Sequence, residues 1–174
     1  MGAFSLSNCF IILEKTVPTI ESIVGGLPSE LVETNEGGDS WSCYDILGHL
    51  IHGEKTDWIP RLNIMLNEED KHFEPFDRFA QERDSVGKTF AELLAEFKTL
   101  RTANIQKLKG FKLSPEDFGK EGIHPEFGAV TVQNLLSAWT AHDLGHIYQI
   151  SRVIAKQFQD GCGPWPKYLR ILND

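Results

Sequence analysis

Apolar residues recur at helical spacing in four long stretches of this chain, and the gaps between them collect Gly, Pro and acidic residues. The first stretch, about 7–24, carries Phe10, Leu13, Val17, Ile20 and Val24 on one face. Pro18 lies inside it and predicts a kink or a late start, while Gly25 and Gly26 stop it. The second has the clearest start. Ser42 can cap it, Asp45 three residues on completes a capping box, and Trp41 and Ile46 occupy the two hydrophobic-staple positions. It predicts a helix over 42–66 with a kink at Pro60, whose ring frees a carbonyl near Thr56.

An acidic loop follows over 67–87. The third helix, 88–108, carries Phe90, Leu93, Leu94, Phe97, Leu100, Ile105 and Leu108 and ends at Gly110. After a Gly- and Pro-containing loop over 111–130, Thr131 caps a fourth helix running to about 158, and a short turn or helix is expected over 167–172. No segment reads as a strand, and no repeat is present. The pattern predicts an all-α four-helix bundle, one domain over 1–174, with long loops after helices 1, 2 and 3.

At 174 residues the chain is long enough to bury a core without disulfides. A net charge of −8 and the absence of any basic run argue against a nucleic-acid partner or an anionic membrane surface. Cys9, Cys43 and Cys162 form no CxxC pair and read as reduced thiols of a cytoplasmic protein. The apolar run 10–13 has no basic residue before it, so no signal peptide is expected, and Leu6 stands where a myristoylation signal needs Ser or Thr. No stretch has the length of a membrane span.

Candidate chemistry centres on histidine. With six in the chain, an HxxxH pair arises by accident in roughly one sequence in five, so the spacing of His142 and His146 carries little by itself. Their placement carries more. At about 100° per residue both fall on the stripe of Leu135, Trp139, Ile150 and Val153. Buried imidazoles need partners, and two rings one turn apart can reach one ion or can be core groups bonded to carbonyls and carboxylates. A third ligand must come from another helix. His49 and His52 both qualify, and the helical wheel favours His49 only modestly. Gly53, one turn after His49, leaves room beside it.

Several other polar residues share these faces. Asp143 lies among Trp139, Ile147 and Ile150, and Glu54, Asp57 and Arg61 intrude on the apolar side of the second helix. An Asp143–Arg61 or Glu54–Arg61 pair would balance these charges. Alternatively Asp143 or Glu54 accepts a ligand N–H or acts as a base, and Gln149 orients a water or bonds another helix. His72 and His124 read as solvated loop residues. Cys43, at a helix N-terminus that can lower a thiol pKa, is too far from His49 for a nucleophile. Tyr148, Trp165 and Tyr168 pack the C-terminal segment or close a pocket mouth.

Two segments, WSCYDILGHLIHGEKTDWIPRL and VTVQNLLSAWTAHDLGHIYQISR, resemble the second and last helices of the DinB-like (DinB/YfiT) superfamily, and the ending GPWPKYL is similar as well. The resemblance implies a metal site of His49, His142 and His146, with no counterpart for His52. Three neutral imidazoles suit a divalent transition metal, zinc or nickel before iron or cobalt, and leave positions for water. The resemblance implies a metal-dependent enzyme acting on a small-molecule substrate, foremost a hydrolase using metal-bound water. The alternatives are an S-transferase for a low-molecular-weight thiol cofactor such as bacillithiol or mycothiol, or a non-catalytic metal- or ligand-binding stress protein. A homodimer is also expected.

Overall fold

A computed structural model, which describes residues 4–173, contains seven α-helices and one β-hairpin, with the long helices at the places the pattern predicts. They are α1 (Leu6–Val24), α2 (Ser29–Glu33), α3 (Cys43–Thr56), α4 (Trp58–Asn67), α5 (Gln81–Asp84), α6 (Phe90–Gly110), β1 (Glu121–His124), β2 (Gly128–Thr131) and α7 (Val132–Lys156). Helix α1, the α3–α4 pair, α6 and α7 make the four-helix bundle. Their starts are set by side chains that satisfy the orphan N–H groups of the first turn. Ser42 with Asp45 and Thr131 with Asn134 form capping boxes at the expected places, and Thr89 with Glu92 forms one at α6.

The structure sharpens or corrects several expectations. The second predicted helix breaks at Asp57, three residues before Pro60. Pro60 has no N–H for the Thr56 carbonyl and its ring would strike that group, so the helix ends at Thr56 and restarts at Trp58. Pro18, by contrast, is carried inside an unbroken α1. A hairpin also appears where no strand was read, with Ile123 opposite Ala129 and a tight turn through Gly128 at φ 71°. Ile123 accepts from the Phe73 N–H (2.9 Å) and donates its own N–H to the Lys71 carbonyl (2.8 Å), tying the hairpin to the chain just after α4.

The core falls into two apolar clusters. One holds Val17, Ile20 and Val24 of α1, Ile46, Leu47, Leu50 and Ile51 of α3, Leu93 and Phe97 of α6, and Ile150 and Val153 of α7. The other holds Leu13, Trp58, Leu62, Ile105, Leu108, Leu136 and Trp139. Late α1 and late α7 therefore meet early α3 and early α6. Helices α1 and α7 run one way, and α3 and α6 run the other. Because α3 and α6 are parallel, the chain after α4 must return the length of the bundle, and this is why the acidic segment is long. Part of it is ordered as α5, against which Gly48 packs so closely that an added Cβ would stand 2.8 Å from Gln81 Cβ.

Between the clusters lies a buried polar layer. Arg101 donates through Nε and Nη2 to Glu54 Oε1 (3.0 and 2.7 Å), through Nη1 and Nη2 to Asp143 (2.5 and 3.0 Å), and to the Leu13 carbonyl (3.1 Å). Thr16 donates to Asp143 Oδ2 at 2.6 Å and Asn104 to Glu54 Oε2 at 2.9 Å. Each of the four helices contributes, and the layer is essentially dry, with Asp143 0% and Arg101 2% exposed. Such a network fixes helix register, because any slide leaves a charge unpaired. The expected partner of Asp143 and Glu54 is thus corrected from Arg61 to Arg101. Arg61 pairs instead with Asp57, Nε to Oδ1 at 2.5 Å.

Candidate metal centre

His49 sits two turns into α3, on the face that the Ser42 cap and the staple turn toward the core, and is 8% exposed. His142 and His146 are half-buried one turn apart on α7. Nε2 of His142 stands 3.2 Å from Nε2 of His49 and 3.1 Å from Nε2 of His146, and one ligand atom from each ring lies within 4.8 Å of the others. Ligands at about 2.0–2.1 Å from an ion with tetrahedral angles stand about 3.3 Å apart. The donor set fits one small cation.

Burial first, then the charge of the neighbouring imidazoles, pushes His49 down to about 3 and His146 down to about 4. Both are neutral at physiological pH, the form that ligates metal. His146 Nδ1 donates to Gln149 Oε1 at 2.8 Å, which keeps its proton off Nε2 and leaves that lone pair facing the cluster. Gln149 therefore orients a ring. His49 Nδ1 and His142 Nδ1 are buried without a hydrogen bond, and Asp143 Oδ1, 4.0 Å from His142 Nδ1, is beyond bonding distance. Asp143 and Glu54 are committed to Arg101 beneath the site and do not reach the cavity as bases.

Trp41 and Phe76 flank the His49 ring at centroid distances of 4.9 and 5.4 Å, and Trp58 meets His142 edge-on at 5.1 Å. Trp58 in turn stacks on Trp139 at 5.6 Å. Gly53 serves this wall. Its ideal Cβ would lie 3.3 Å from Trp58 Nε1, so the missing side chain admits Trp58 more than it makes space for an ion. The three imidazoles open into a cavity of about 620 Å³, whose wall also includes Asp57, Arg61, Arg78 and His124.

His52 stays outside. Its Nδ1 is 3.6 Å from Asp84 Oδ2 and its ring packs on Phe76. His72 is exposed as expected, but His124 belongs to the cavity wall, which corrects its reading as a solvated loop residue. Cys43 is fully buried, with Sγ 3.9 Å from the Ile150 carbonyl, and burial pushes its thiol up to about 11, opposite to the dipole effect. Tyr148, Trp165 and Tyr168 are exposed and none lines this cavity.

Sequence reasoning missed Asp57 and His124 as site residues. A helix break ahead of Pro60 could have marked Asp57, whose carboxyl burial raises above the usual range. The alternation around His-Pro-Glu-Phe-Gly at 124–128 could have marked a hairpin.

A family model described as the DinB superfamily matches residues 12–150. Among solved structures, YfiT from Bacillus subtilis, described as a probable metal-dependent hydrolase with an unusual four-helix bundle topology, superposes with a TM-score of 0.76. The two are 18% identical over 90% of this chain and 91% of that one, a likeness of fold. No curated protein matches the sequence.

Proposed function

This chain belongs to the DinB superfamily, and we propose that it is a metal-dependent hydrolase whose His49, His142 and His146 hold one divalent transition-metal ion, zinc or nickel. The observation that carries the reading is the convergence of three imidazoles on the wall of a cavity, with His142 Nε2 at 3.1–3.2 Å from Nε2 of each of the other two and one ligand atom from each ring within 4.8 Å of the others. Hydrogen bonding does not serve both contacts, because His142 Nε2 faces two ring nitrogens and carries either one proton or one lone pair. A cation satisfies them together.

When bound, the ion supplies Lewis acidity and lowers the pKa of a coordinated water toward about 7. The chain's residues supply the rest. Gln149 fixes the orientation of His146. Trp41, Trp58 and Phe76 exclude bulk water around the imidazoles, which strengthens every charge interaction there. Of the two carboxylates on the cavity wall, Asp57 is buried and held by Arg61 while Glu126 is exposed, and Asp57, raised by burial, is the one that would take a proton from water in the site. It replaces Asp143 and Glu54 in that role.

Metal analysis of untagged protein, with turnover of small esters and amides, tests the proposal. Stoichiometric zinc or nickel and hydrolysis without added thiol are expected. A His142→Ala variant that still carries stoichiometric metal overturns the triad. Turnover that requires a low-molecular-weight thiol replaces the hydrolase by the S-transferase, and loaded protein without turnover leaves a binding protein. We further propose a homodimer, which a light-scattering mass near 19.6 kDa refutes.

A further inference from the structure

His124 stands at the turn between β1 and β2 with its ring held on several sides. Its Nδ1 accepts the backbone N–H of Glu126 at 3.1 Å and of Phe127 at 3.4 Å. The ring stacks on Phe127, 4.4 Å between centroids and 15° between planes, and meets Phe73 edge-on at 6.4 Å. A ring that accepts at Nδ1 carries its one proton on Nε2. Burial and the nearby Arg61 charge hold its pKa down, so it stays neutral. The hairpin thus presents a fixed N–H donor at the cavity wall.

Arg61 is the second donor there. It is 7% exposed, and its guanidinium lies 5.2 Å over the same Phe73 ring that His124 meets. Its Nε forms an ion pair with Asp57 Oδ1, and one N–H, at 3.4 Å, goes to the Glu74 carbonyl. A guanidinium has five N–H donors, so more remain for a ligand of the cavity that Arg61 lines.

The charges of this wall balance. Arg61 and Arg78 face Asp57 and Glu126. Three neutral imidazoles add none, so a divalent ion leaves the cavity positive, and this step rests on the proposed function. An anion is then the favoured occupant, and the apolar faces of Trp41, Trp58 and Phe76 suit a flat body behind it.

We propose that Arg61 and His124 form an oxygen-binding subsite of this cavity, and that its ligand is an aromatic carboxylate whose carboxyl group takes their N–H donors. Phe73 links the pair, because both side chains pack against its one ring.

Calorimetric titration with benzoate tests this on zinc-loaded protein and on protein stripped with EDTA. His124→Asn keeps an oxygen for the turn N–H groups but loses the Nε2 donor, and Arg61→Lys keeps the charge opposite Asp57. Each is expected to weaken benzoate about tenfold, with zinc stoichiometry unchanged. Ring 15N spectra are expected to show the Nε2–H tautomer of His124, shifted by benzoate. Unchanged affinity in both variants, or an Nδ1–H tautomer, overturns the subsite. Zinc uptake without any effect of the variants overturns only the subsite; an effect in stripped protein that never takes up metal supports the subsite and overturns the proposed function instead.

Discussion

Arg101 grips Asp143 with two hydrogen bonds, Nη1 to Oδ2 and Nη2 to Oδ1, directly below the helix turn that carries His142 and His146. The same guanidinium holds Glu54, the residue after Gly53 and little more than one turn beyond His49 on α3. One cation therefore sets the relative height of the two helices that bring the imidazoles together.

Arg101→Met leaves two carboxylates buried and unpaired. Breaking a buried pair from one side costs about 3–5 kcal/mol. Urea unfolding is expected to show a loss of that size, and a loss below about 1 kcal/mol would mean that the layer does not hold the register.

Gln149→Leu removes the acceptor of the His146 Nδ1 proton. Losing such an orienting partner costs about 10–100-fold in metal affinity. Competition with a chelator reads this directly; a variant that binds metal as tightly as the parent removes Gln149 from the site.

Stability of the metal-free protein should fall in acid through the histidines. His49 titrates at about 3 and His146 at about 4 in the fold, against about 6.5 when unfolded. Their contribution is complete above pH 6.5 and is lost as pH falls toward the folded values, because the unfolded chain binds more protons in that window. The two together give a slope of roughly 2–3 kcal/mol per pH unit near pH 5. Denaturant midpoints at pH 7, 6 and 5 check it, and equal midpoints would falsify the buried neutral pair.

Cys43 should resist alkylation in the native state. It is 0% exposed and burial raises its thiol to about 11, so little thiolate exists at pH 8. Mass spectrometry after iodoacetamide is expected to find Cys162, which is half-buried, modified before Cys43.

Gly48→Ala pushes a methyl group into Gln81 and Ser85 of the segment covering α3. Overpacking of this kind costs about 1–3 kcal/mol. Hydrogen exchange should report the loss first around α5, and unaltered protection there would show that the segment yields freely.

Four amphipathic helices were legible because apolar spacing and caps are local. Ser42 with Asp45 and Thr131 announce their helices within four residues. His142 and His146 share a face for the same reason, since i and i+4 neighbours are set by helix geometry alone. Choosing His49 over His52 needed more, because the wheel separates them weakly and the family resemblance made the choice. The arrangement of α3 against α7 then decides which ring meets His142. Arg101 was passed over, and Arg61 assigned in its place, because charge partners across helices depend on the rotation and height of each helix. Those are set by the packing of all four together. Asp57 and His124 enter the cavity through a helix break and a hairpin, two irregular places where no periodicity reports direction. Spacing along the chain thus determines which faces are apolar and which histidines travel together, while contacts between distant segments decide which polar groups meet.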